Sequence, residues 1–122
     1  MSVPVSLPEL GRHVAQFGTW PYIITVGDNG RPHAVSVDVA WGDGSFTAAG
    51  GRSTSRNAAA HPDAVTLLWA PFEPGGYSLI VDVRAATDDG ALTLTPVAAV
   101  LHRTGPGVDT SASSCGSDCV RI

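Results

Sequence analysis

Lysine is absent from this sequence of 122 residues: all seven basic side chains are arginines, against eleven acidic ones, for a formal charge of −4. Without a basic face the chain cannot displace counterions from nucleic-acid phosphates, which argues against a general nucleic-acid binder. Cysteine is almost absent as well. Cys115 and Cys119 both fall in the last eight residues, so they cannot staple the fold as a secreted disulfide framework does. Their segment is too sparse for a structural zinc site and lacks the two-residue gap of a redox motif. Either a reversible disulfide or two unreactive thiols fits. Long hydrophobic runs are missing too, and Met1-Ser2-Val3-Pro4-Val5 has neither a basic leader nor an apolar run of signal length. The expectation is a cytoplasmic protein without a membrane segment.

What the sequence does contain is a high apolar share, 43% hydrophobic residues with only 15% charged, which is the composition of a packed domain. The length suits one core, expected over residues 1–103, with residues 104–122 as a tail rich in Gly and Ser. So much apolar surface on a small domain points to burial against a second copy, hence a homodimer.

Ser6-Leu7-Pro8-Glu9 has the form of a capping box, and Leu7, Leu10, Val14 and Phe17 follow at helical spacing up to Gly18. A helix is expected over 7–17. From Trp20 the pattern changes to β-branched and aromatic runs separated by turn residues. Strands are expected over 20–26, 33–41, 45–49, 65–69, 77–87 and 91–101. Asn29-Gly30, Asp43-Gly44 and Asp88-Asp89-Gly90 mark hairpins, and a short helix is expected between the third and fourth strands. The resulting fold class is mainly β (α+β): a six-stranded antiparallel split barrel with an N-terminal helix, closed or nearly closed because closure removes exposed edges.

Chemistry concentrates in Gly50–Pro62. The opening of the second helix carries Ser53, Thr54 and Ser55 between Arg52 and Arg56, and unpaired N–H groups there suit a phosphate. Ordinary hydroxyl capping explains the same residues without a ligand.

The order of these elements, with Asp28-Asn29-Gly30-Arg31-Pro32-His33, then Trp41-Gly42-Asp43-Gly44-Ser45-Phe46, then Gly51–Asn57 and His61-Pro62-Asp63-Ala64-Val65, resembles the pyridoxamine 5′-phosphate oxidase-like, FMN-binding split-barrel superfamily. The resemblance covers roughly residues 7–101 and is closest to the actinobacterial flavin- or deazaflavin-dependent branch. It implies an oxidoreductase holding FMN or the deazaflavin coenzyme F-420 at a homodimer interface, with hydride transfer to or from a small organic substrate. The cofactor phosphate then falls on Arg52, Ser53, Thr54, Arg56 and Asn57, and the ring runs beside Ser36, Val37 and Asp38. Many members carry lysine where Thr54 stands. A split-barrel dimer that has lost its cofactor is therefore the alternative, and a haem-binding barrel is a third reading.

The ring performs such chemistry itself, so no catalytic side chain or metal ligand is assigned. His33, His61 and His102 are proton donors by chemistry only. Asp38 sits in an otherwise apolar run and needs either an arginine or the cofactor beside it. Trp20, Trp41 and Trp69 fit packing before ring stacking.

Overall fold

The computed structural model describes residues 1–104. Eight antiparallel strands curl into one sheet: β1 (Ser2–Val5), β2 (Tyr22–Val26), β3 (Pro32–Ser36), β4 (Val39–Gly42), β5 (Ser45–Ala49), β6 (Val65–Trp69), β7 (Ser78–Asp88) and β8 (Ala91–His102). Helix α1 (Leu10–Phe17) is entered through a 3-10 turn at Leu7–Glu9, and α2 (Arg52–Ala60) follows β5. Bonded neighbours run β3-β2-β6-β7-β8-β5-β4, with β1 added beside β8. The mainly β, split-barrel-like architecture is as expected, with eight strands in place of six, but the sheet is a curled half-barrel and not a closed one: its path ends at β3 and β4, which do not pair with each other. The tail residues 105–122, including Cys115 and Cys119, lie outside the described residues. No described helix is long and apolar enough to cross a membrane.

Two differences in strand number have physical causes. The run 33–41, expected as one strand, is split between β3 and β4, which lie at opposite ends of the sheet path. Val37-Asp38 is the joint that carries the chain from one edge to the other. It is held by the Val37 N–H donating to the Pro21 carbonyl at 2.9 Å and the Val39 N–H donating to the Thr19 carbonyl at 2.8 Å. In-and-out alternation continues straight through the joint, with Val37 and Val39 buried and Ser36, Asp38 and Ala40 exposed. The hydrophobic period therefore carries no mark of the change of partner. The extra strand β1 exists because β8 outruns β5: β5 pairs with Ala91–Leu94, and β1 covers Ala99–His102 farther along. Pairing satisfies a stretch of β8 that would otherwise be an open edge.

The turns follow their residues. Asp43-Gly44 and Asp89-Gly90 are left-handed at both positions, with φ of 54° and 78°, and 54° and 87°, as tight hairpins require. At Asn29-Gly30 only Gly30 is left-handed, at 79°, and the loop closes through the Gly27 N–H donating to the Arg31 carbonyl at 2.9 Å.

Phe46 anchors the core, fully buried between Trp41 and Trp69 at centroid distances of 4.6 and 5.6 Å. The Trp69 indole N–H donates to the Gly18 carbonyl at 2.9 Å, tying down the end of α1. That helix inserts Leu10 and Val14 into the core. Gly11 makes the room: a Cβ there would stand 2.8 Å from Trp41 Nε1. The expected capping box is not formed, since the Ser6 carbonyl, not its hydroxyl, accepts from the Glu9 N–H at 3.0 Å.

Candidate functional site

Helix α2 turns Thr54, Asn57 and Ala58 toward the barrel. Two of the three are polar, and Thr54 and Asn57 are each only 3% exposed. The Asn57 side-chain amide lies 3.2 Å from Oγ1 of Thr25, a fully buried hydroxyl on β2. Thr25 pairs in register with His33 on β3, so the three side chains gather where α2 covers the β2–β3 hairpin. Two atoms of this group, Asn57 Oδ1 and His33 Nδ1, are buried without a hydrogen-bond partner. A buried polar atom left without any partner costs about 1–3 kcal/mol, so each of these calls for a water or a ligand group to meet it. The Thr25 hydroxyl can donate as well as accept, so the Asn57 amide can present either its oxygen or its N–H outward.

Over this group lies an open recess of about 450 Å³, bounded by residues 27–29 and 31–33 of the hairpin and by Ser53, Arg56 and Asn57 of α2. Spacings of three and four place those helical residues on one face. Arg31 and Arg56 bring two guanidinium groups, and among the described residues neither has an ion-pair partner. The acidic member, Asp28, lies 3.9 Å from His61 Nε2 at the rim. Arg31 projects from a fixed base, because its N–H donates to Asn29 Oδ1 at 3.1 Å and its carbonyl accepts from Gly27 at 2.9 Å. Gly27 keeps the floor open, since a Cβ there would stand 3.2 Å from Asn29 Oδ1 and 3.9 Å from Asn57 Oδ1.

The expected phosphate residues therefore divide. Ser53, Arg56 and Asn57 reach the recess, Arg52 lies outside its lining, and Thr54 is sunk against the barrel. Convergence occurs on the flank of the helix. Its N-cap, Gly51, has no side-chain hydrogen bond, so the hydroxyls do not cap it either. Ser36 and Asp38 are exposed on the outer face, three and five residues beyond His33, roughly 10–17 Å at strand rise. Val37 belongs to the core. Asp38, expected to need a buried partner, borders a shallow depression with Thr47, Ala49 and Thr93 instead. His102 pairs with Ser2 far along β8, Nδ1 to Oγ at 3.0 Å, and Trp20 stands exposed while Trp69 is buried. Sequence reasoning passed over Thr25, Gly27 and Arg31. Their only mark was the turn motif around Asn29-Gly30, which says nothing of the helix packed against it.

No model of a known protein family matches the chain. Two uncharacterized mycobacterial proteins, from Mycobacterium bovis and Mycobacterium tuberculosis, are each 38% identical over 133 aligned positions, covering 92% of both chains. Among solved structures, an FAD-binding protein of Mesorhizobium loti superposes with a TM-score of 0.64 at 13% identity, over 86% of this chain and 98% of that one. An F420 reductase gives 0.55 at 17% identity, over 66% and 88%. A Clostridium acetobutylicum protein of the pyridoxinephosphate oxidase family gives 0.59 at 13% identity, over 81% and 91%. The chain belongs to one family with the two mycobacterial proteins, and its fold is a split β-barrel like that of these solved structures.

Proposed function

We propose that this chain is a flavin- or deazaflavin-dependent oxidoreductase, working as a homodimer on a small organic substrate. The observation that carries the reading is the recess beside α2, lined by Arg31 and Arg56, neither with an ion-pair partner among the described residues, and by Asn57 and His33, each with a buried polar atom that lacks a partner. Two guanidinium forks fit the phosphate of FMN or of a deazaflavin coenzyme. Ser53, Arg56 and Asn57 would hold the phosphate. Ser36 and Asp38 lie along the outer side of the same strand-and-joint segment, at a distance that leaves room for a ring. When bound, the ring system would supply hydride transfer, while the protein positions it and keeps water away. The names of the solved neighbours, an FAD-binding protein and an F420 reductase, agree with this class of ligand.

The dimer reading rests on the outer face of β4, β5 and β8. Ala40, Thr47, Ala49, Thr93, Thr95 and Val97 are exposed there and all uncharged, a surface suited to covering by its own copy. A second copy would also wall the outer side of Ser36 and Asp38. The buried Thr54, in the place of the family's lysine, favours the second reading, a dimer without cofactor. Visible absorption of the purified protein, before and after adding FMN or the deazaflavin, separates the two. A bound chromophore with micromolar or tighter affinity on a dimer is the expected result. No binding by a well-folded dimer would leave the second reading standing.

A further inference from the structure

We propose that Arg31 on the β2–β3 turn and Arg56 on α2 form a two-sided clamp for a doubly charged oxyanion, with Asn57 as its floor. The clamp deepens the phosphate-seat reading of the same recess and rests on it. Resemblance alone puts the binding charge at the opening of α2, where Thr54 stands. That side chain is a hydroxyl, 3% exposed, and it cannot turn outward without leaving the core. Arg52 does not reach the recess. The charge has instead moved to the hairpin.

Arg31 is fitted for that task. Its amide is held by Asn29 Oδ1 at 3.1 Å and its carbonyl by Gly27 at 2.9 Å, so the guanidinium starts from a fixed point beside the recess. Arg56 approaches from the helix on the other side. Two like charges lining one recess repel each other unless an anion lies between them, and a tetrahedral oxyanion has enough oxygens to take both forks. Beneath them the Asn57 amide has one unpartnered polar atom. That atom is Oδ1, because Asn57 Nδ2 donates to Thr25 Oγ1 at 3.2 Å; with the amide turned over and the Thr25 hydroxyl donating to the amide oxygen, the N–H would face the anion as a neutral donor. Asp28 also lines the recess and opposes an anion there; its carboxylate stands 3.9 Å from His61 Nε2, so the two arginines outnumber it. The ligand chemistry is a phosphate monoester. The terminal phosphate of FMN and a free phosphorylated metabolite share it, whereas the deazaflavin coenzyme carries a singly charged diester.

Full-length protein titrated with FMN, the deazaflavin coenzyme, riboflavin and inorganic phosphate tests the clamp, using wild type, Arg31→Ala, Arg31→Lys and Arg52→Ala. Melting without ligand checks folding, and Arg31→Lys serves as the measure if Arg31→Ala melts early. Arg31→Ala should lower FMN affinity about 10- to 100-fold, the loss of a charged hydrogen bond. Arg31→Lys should recover part of it, because it restores charge without the fork. Arg52→Ala should change it less than about threefold, and riboflavin, which lacks the phosphate, should bind Arg31→Ala and wild type alike. Equal FMN affinity in Arg31→Ala and wild type overturns the clamp. Protection by inorganic phosphate that depends on Arg31, with no binding of FMN or the deazaflavin, keeps the clamp for a free phosphorylated ligand and removes the cofactor reading. A wild type that binds none of these ligands overturns both.

Discussion

Helices α1 and α2 pack against the same barrel with opposite chemistry. The buried face of α1 is Leu10 and Val14, with Phe17 beside them, and its end is tied by one hydrogen bond from Trp69. The buried face of α2 is Thr54, Asn57 and Ala58, and it leaves polar atoms without partners. A contact built from apolar groups is complete once water is expelled. One built from an amide, an imidazole and a hydroxyl has directional demands that the chain itself does not meet here. The difference teaches which helix fastens the fold and which one leaves polar atoms unpaired against it.

The strongest way to break this comparison is Leu10→Ala. Emptying a fully buried site should cost about 2–5 kcal/mol in denaturant unfolding, while affinity for FMN or phosphate in the molecules that remain folded stays unchanged. A loss of binding equal to that from α2 variants would mean that α1 also shapes the site. A sharper test is the double substitution Thr25→Val with Asn57→Leu. Replacing both hydrogen-bond partners by apolar groups of similar shape should change stability by no more than about 1 kcal/mol, in either direction. Ligand binding should nevertheless collapse. If stability falls by several kcal/mol, the polar pair is structural and the contrast between the helices disappears. The smallest effect belongs to Arg12→Ala. Its pair with Glu9, at 3.5 Å, joins side chains 66% and 58% exposed, so melting should move by less than about 0.5 kcal/mol equivalent.

Much of this molecule was legible from short stretches of chain. The strands at 45–49 and 65–69 and the helix from Arg52 emerge where residue pattern puts them, because each is set by alternation, helical spacing or an Asp-Gly turn. The site was legible only in part. Ser53, Arg56 and Asn57, which line the recess, stand out in the sequence because hydroxyls and arginines at a helix opening are a visible signal. Arg31 and Thr25 were not, since one looks like a solvated turn residue and the other like any strand threonine. Thr25 and Asn57 meet across 32 positions, a separation that no local pattern encodes.

The amino-acid order by itself determined the mainly β class, the hairpins, both helices and the acidic, lysine-free surface, because each depends on residues a few positions apart. Tertiary structure alone decided that residues 33–41 divide between opposite sheet edges, that the first residues add a strand, and that the β2–β3 turn meets the flank of α2. Those outcomes depend on how a twisted sheet curls and which distant surfaces then touch, and a residue's sequence neighbours do not carry that information.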